Sequence, residues 1–150
     1  HTLFPYTTLF RSAQRPAYRA VAGALKLAYA QFEELETFAR FGARLDEDTR
    51  QSIVHGQRIR ACLGQSELSP VTVPAQIAIL LALNAALFDP VPLERMTAAQ
   101  QAVEAAADGL PAVLGKRLAD AEALTDADRE QVTEAARQAL AAFVPAPKEV

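Results

Sequence analysis

Cysteine, histidine, tryptophan and glycine are scarce in this 150-residue chain, and most of these shortages remove a class of chemistry. One Cys closes no internal disulfide and builds no multi-cysteine zinc site. Two His, one of them at position 1, leave nothing for a histidine metal cluster. Positive charge is not in excess: 15 Lys and Arg stand against 18 Asp and Glu, a net charge of −3. The chain therefore lacks the electrostatic footprint of a general nucleic-acid binder. No hydrophobic run is long enough to span a bilayer. The most apolar stretch, Ala75 to Phe88, is interrupted by Gln76 and Asn84 and falls short of the ~20 apolar residues that a span needs. His1 to Tyr6 carries neither the basic start nor the apolar core of an export signal. With a single Cys, that makes the intracellular side the expected location. Also missing are G-x-x-x-x-G-K-[ST], G-x-S-x-G, H-E-x-x-H and C-x-x-C, and with them a self-contained phosphate cradle and the common hydrolase and metal signatures.

What is present is apolar (51%) and moderately charged (22%), the balance of one ordinary globular domain. Composition changes abruptly near the start. Residues 1–12, HTLFPYTTLFRS, are rich in Thr and aromatics, without Ala or acid, whereas the chain from Ala13 on is rich in Ala, Glu, Arg and Leu. Thr2 to Ser12 resembles the frame translation of a widely used sequencing adapter. Residues 1–12 are accordingly expected to be a foreign segment, 13–144 the domain and 145–150 a tail.

The domain reads as helices throughout. Val21, Leu25, Ala28, Phe32, Leu35 and Ala39 recur at three- and four-residue steps from Arg15 to Phe41, the period of a helix with one apolar face. Pro16 suits its first turn and Gly42 its C-terminal cap. Asp46, Glu47 and Asp48 open a second helix, acids at the positive end of its dipole, with Ile53, Gly56, Ile59 and Leu63 as its apolar line and Gly64 as its end. Gln65 to Thr72 reads as a loop. Pro74 starts a third helix that is apolar on nearly all sides, which predicts a central position. A fourth is expected from Leu93 to Ala107, and a fifth from Pro111 to about Leu124. The last, through about Phe143, is opened by a capping box over Thr125–Asp128. Six helices with short connections predict an all-α fold, a bundle of about six helices.

Few residues offer catalysis. Cys62 and His55 stand about two helical turns apart, but no third group orients them; Cys62 is expected to pack as a small hydrophobe and His55 to lie at a surface or interface. Glu33, Glu34 and Glu36 point in different directions around a helix and predict a solvated face.

Four short motifs, in order, carry a resemblance. Tyr29 to Gly42 (YAQFEELETFARFG) is similar to LAQYRELAAFAQFG, Leu45 to Thr49 to LDxAT, Gly56 to Ile59 to GERL, and Gln65 to Pro70 to QxQYSP. Together they resemble the C-terminal helical domain of the alpha subunit of the F-type ATP synthase, over Ala13 to about Phe143. The beta subunit carries an acidic DELSEED loop where this chain has Gly42 to Asp48, and the sequence follows the alpha pattern there. Residues 15–19, 29–32 and 55–60 resemble the alternate, sodium-associated form.

The resemblance implies a non-catalytic, regulatory subunit in rotary ATP synthesis or hydrolysis coupled to proton or sodium transport. It implies beta and gamma subunits as partners and a peripheral place at the cytoplasmic face of the bacterial inner membrane, without nucleic acid or direct membrane insertion. The family binds ATP or ADP with Mg in the intact subunit; none is expected for this chain alone, nor any catalysis by it. Arg44, Asp46, Glu47 and Asp48 match the loop that faces the central stalk. Gln65 matches the first glutamine of a loop lining the adenine pocket, while Glu67 replaces the second and adds a charge where an amide would donate. The arginine finger of an S-R-V-G-G-x-x-Q stretch would fall at Thr8, with Gln14 as its last glutamine. The alternative is a free-standing helical interaction module. Exposed apolar residues such as Leu27 or Phe41 on the first helix would favour association.

Overall fold

The computed structural model describes residues 16–42, 44–66, 72–119 and 124–146. The expected foreign segment 1–12 lies outside them. Among the described residues six α-helices follow in order: α1 Pro16–Arg40, α2 Glu47–Ser66, α3 Val73–Asn84, α4 Met96–Asp108, α5 Ala112–Ala119 and α6 Asp126–Leu140. Short 3-10 turns at Leu93–Arg95 and Ala141–Phe143 precede α4 and follow α6. No strand occurs among the described residues. The fold is all-α, as the periodicity requires.

α3 is the axis of the bundle. Ala75 and every residue from Ile77 to Leu83 are buried, and α1, α2, α4, α5 and α6 all pack on it. Thr72 caps its start by accepting the Ala75 N–H at 3.4 Å. Its end is a Schellman motif: the Leu87 N–H donates to the Ala82 carbonyl and the Ala86 N–H to that of Leu83, both at 3.0 Å. Ala86 takes the left-handed conformation there, φ 59°, which lets the chain turn so that Phe88 and Val91 enter the core.

The remaining helices pack as pairs. α1 and α2 form an antiparallel hairpin, α4 lies on α3 and α6, and α5 on α3. The Thr125–Asp128 capping box forms in both directions, at 3.0 and 3.4 Å, and Asp128 also accepts from Arg117 of α5 at 2.6 Å. Several boundaries differ from the sequence reading: α5 is described only to Ala119, with Leu124 outside any helix, and α6 gives way to a 3-10 turn after Leu140. Gly64 does not end α2, which runs on to Ser66, so Gln65 and Ser66 are helical rather than loop. A Cβ there would meet nothing within 4 Å, and a glycine so placed only weakens a helix. The segment Leu93–Arg95 is 3-10, with Pro92 before it, and α4 proper begins at Met96.

Candidate functional site

The α1–α2 connection is built by two tight returns. The Phe41 N–H donates to the Phe38 carbonyl at 3.2 Å and the Gly42 N–H to that of Ala39 at 3.1 Å. Gly42 has φ 75° with nothing near its missing Cβ, so glycine is there for the backbone and not for space. The next helix is capped by Asp46, whose carboxylate accepts the Thr49 N–H at 2.7 Å. Hydrogen bonding from Thr49 holds that carboxyl below its ordinary range. Arg50 donates to the Leu45 carbonyl at 3.0 Å and lies 3.7 Å from Glu47 in an exposed pair. Arg44, Glu47 and Asp48 are all exposed, and so is Phe41, at 85%. The connection and the first turn of α2 thus present one cation, two acids and an aromatic ring, while the third acid, Asp46, is occupied in holding the helix end.

A loop transmits force only if the helices behind it are fixed to each other. Gly56 of α2 lies so close to Phe32 of α1 that an added Cβ would stand 2.0 Å from the ring. Arg60 then locks the pair. It donates to both oxygens of Glu36 at 2.8 and 3.0 Å and to the Tyr29 hydroxyl at 3.3 Å. Its guanidinium also lies 4.7 Å from the Phe32 ring centre, a cation–π contact. These hydrogen bonds push Arg60 further above its ordinary value and, led by Arg60, hold Glu36 below its own. Glu33 and Glu34 are exposed as expected, but Glu36 is not simply a solvated acid. Residue types alone carry no signal for this clamp; only the hairpin register brings positions 36 and 60 together.

α2 is held on its other side by the chain that leaves α3. His55 Nδ1 lies 2.8 Å from Asp89, Gln51 donates to the same carboxylate at 3.4 Å, and Arg58 gives two hydrogen bonds to the Val91 carbonyl at 2.9 and 3.2 Å. Burial pulls Arg58 below its ordinary value, partly offset by Asp89 and Glu94. The buried Gln100 of α4 donates to the Ala61 carbonyl at 3.4 Å.

Cys62 is buried in the core, and burial pushes its thiol far up, the opposite of what a nucleophile needs. His55 bonds to Asp89 instead of orienting that thiol. No three His, Cys, Asp or Glu residues gather to hold a metal among the described residues, and no described helix is long and apolar enough to cross a membrane. Of the adenine-pocket pair, Gln65 falls in the last turn of α2 with its side chain outside what is described, and Glu67 lies outside the described residues. The structure therefore puts Arg44 and Asp46 in the α1–α2 connection and Glu47 and Asp48 in the first turn of α2, and leaves Gln65 and Glu67 without a described site.

Residues 14–139 match the family described as ATP synthase alpha/beta chain, C terminal domain. The chain is 65% identical over 136 residues to ATP synthase subunit alpha 2 of Albidiferax ferrireducens, covering 91% of this chain and 26% of that protein. It is 64% identical over 137 residues to ATP synthase subunit alpha 2 of Polaromonas naphthalenivorans, with the same coverage. Against ATP synthase subunit alpha 1 of Shewanella frigidimarina it is 59% identical over 132 residues, 88% of this chain and 26% of that one. The chain spans about a quarter of the length of these relatives.

Proposed function

From the premise that the chain belongs to the ATP synthase alpha/beta C-terminal domain family, with its high-identity relatives all alpha subunits, we propose that it supplies the stalk-facing helical collar of an F-type synthase. The parent complex couples proton or sodium movement to ATP synthesis or hydrolysis at the cytoplasmic face of a bacterial membrane. Beta and gamma subunits are its partners. ATP or ADP with Mg belongs to the part of the subunit that this chain does not span, and Gln65 and Glu67 are the residues that match its adenine-pocket loop.

The observation that carries the reading is the α1–α2 hairpin: an exposed, charged loop on two helices fixed to each other at Gly56, Phe32 and Arg60. A rigid lever of this kind passes on the push of a rotating stalk, and Arg44, Glu47 and Asp48 supply charges for a stalk surface of mixed sign. Asp46 acts by keeping the lever's end in shape. A free-standing interaction module would account for the bundle but not for 65% identity to an alpha subunit.

The test is a graft. Residues 14–139 replace the matching quarter of the Albidiferax ferrireducens subunit, and ATP-driven proton pumping is measured on the assembled complex. Assembly with pumping is expected; a complex that does not form defeats the collar assignment. Within that graft, Glu47→Lys with Asp48→Lys should lower coupled turnover several-fold with assembly intact. Unchanged turnover removes the loop from the stalk contact. The purified chain on its own is expected to hydrolyse no ATP.

A further inference from the structure

α2 is buried only from its middle on. Gly56, Ile59, Cys62 and Leu63 are buried, whereas no residue from Glu47 to His55 is, Ile53 and Val54 being half-buried. The grip of α1 on α2 starts at the same point, with Phe32 against Gly56 and the Arg60–Glu36 pair beyond it. The first turns of α2 therefore project about 13 Å ahead of Gly56, at 1.5 Å per residue, and they carry Glu47 and Asp48. Among the described residues, the side-chain hydrogen bonds that tie these turns to the rest of the bundle end on one group, the carboxylate of Asp89. His55 Nδ1 lies 2.8 Å from one of its oxygens and Gln51 donates to the other at 3.4 Å. Gln51 and His55 stand four residues apart, on one face of the helix, so a single carboxylate meets both. Against an acceptor-only group, His55 Nδ1 is the donor.

Asp89 is itself firmly held. Phe88 before it and Val91 after it are both 0% exposed, in the core, and Pro90 fixes the backbone φ beside it. The Asp89 N–H donates to the Ala86 carbonyl at 3.2 Å, just after the left-handed residue that ends α3. Its side chain is only 10% exposed. The carboxylate is thus a peg on the core, set against the part of α2 that has no buried side chain of its own. We infer that Asp89 is a positioning residue: it sets the bearing of the first turns of α2 on the core, and through them the place of Glu47 and Asp48. Without it, those turns keep their helical hydrogen bonds and the Asp46 cap but lose their lateral anchor, so they open locally while the rest of the bundle stays folded. The two hydrogen bonds from Arg58 to the Val91 carbonyl come later along α2 and hold the half that is already buried. The consequence for rotary coupling rests on the stalk-facing reading of Glu47 and Asp48; the anchoring does not.

Amide hydrogen exchange on the full 150-residue chain reads the anchor. Asp89→Ala is expected to speed exchange from Gln51 to His55 at least tenfold and to leave Ile59 to Leu63 unchanged. Gln51→Ala with His55→Ala removes the same hydrogen bonds from the other side and should reproduce that pattern, so that a disturbed turn at residue 89 does not account for it. His55→Asn keeps a donor at the branch position of Nδ1 and should stay within about twofold of the unaltered chain. Faster exchange along the whole of α2, or no change in either alanine variant, overturns the inference. In the graft, Asp89→Ala should lower the protons pumped per ATP hydrolysed at least threefold with assembly intact, and His55→Asn should not; a mere loss of stability does not move that ratio. If Asp89→Ala leaves the ratio alone while Glu47→Lys with Asp48→Lys lowers coupled turnover, the positioning role is overturned and the stalk reading stands. If neither variant has an effect, the stalk reading fails, and the exchange pattern alone decides the anchor.

Discussion

A Cβ added to Gly56 would stand 2.0 Å from Phe32 Cγ and 2.3 Å from its Cβ. The second distance matters more than the first, since a ring can rotate away but Phe32 Cβ moves only with the backbone of α1. Gly56→Ala must therefore push the two helices apart, and with them the Arg60–Glu36 clamp. The cost is placed near the upper end of overpacking penalties, about 3 kcal/mol. α2 also contains its own control. Gly64 lies in the same helix with nothing near its Cβ position, so Gly64→Ala removes only backbone freedom and should stabilise by about 0.5–1 kcal/mol. Urea unfolding of the two variants is expected to shift the midpoint in opposite directions; a loss at both sites would mean that the close approach of Phe32 is not what separates them. The sequence puts Gly56 on the apolar line of its helix and Gly64 at the helix end, but gives neither its steric surroundings. Both sit at helical spacing in an alanine-rich chain, and only the crossing of α1 over α2 makes one of them obligatory.

At the scale of elements, three carboxylates join helices or helix ends, and all three are held below their ordinary values. Hydrogen bonds from Arg60 lower Glu36, and those from Thr49 lower Asp46. Burial pushes Asp128 up, but Arg117 and Thr125 outweigh it and leave its carboxyl low. A carboxyl depressed in the folded state contributes stability that is present above its unfolded value and disappears as the pH falls through its folded one. With ordinary values of 4.5 for Glu and 3.8 for Asp, the urea midpoint should hold between neutral pH and about 5 and decline below ~4.5. Glu104 runs the other way. Burial and then Asp108 raise it, so it opposes folding at neutral pH, and Glu104→Gln should raise the midpoint at pH 7 more than at pH 4. Of these links, the capping box was legible in the sequence because it spans three residues, and Asp46 was legible as one of the acids that open its helix. The Arg60–Glu36, Arg117–Asp128 and His55–Asp89 links were not, because they join positions on different elements and need the packing first. The same limit explains the site. Arg44 to Asp48 could be named from motif spacing, while the clamp that makes their loop a rigid end could not.

For the molecule as a whole, the apolar run from Ile77 to Leu83 decided the architecture before any contact was known. A helix without a polar face must be wrapped, and α3 is touched by every other α-helix described. Stability is therefore shared. Loosening α3 reaches the α1–α2 hairpin as well as α5 and α6, and the hairpin has a second tie through Gln100 and the Ala61 carbonyl. The domain should accordingly unfold in one step, with far-UV circular dichroism, which sees all helices, and tyrosine emission, to which Tyr29 at the α1–α2 contact contributes, giving the same midpoint. Leu83→Ala probes this. Leu83 is 1% exposed in the last turn of α3, and its truncation should cost about 2–5 kcal/mol, a large part of the 5–15 kcal/mol typical of a domain. If α3 holds the molecule together, both signals move to lower urea by the same amount and stay superimposed. If the hairpin is an independent unit, the tyrosine signal keeps its wild-type midpoint while the helical signal splits into two phases.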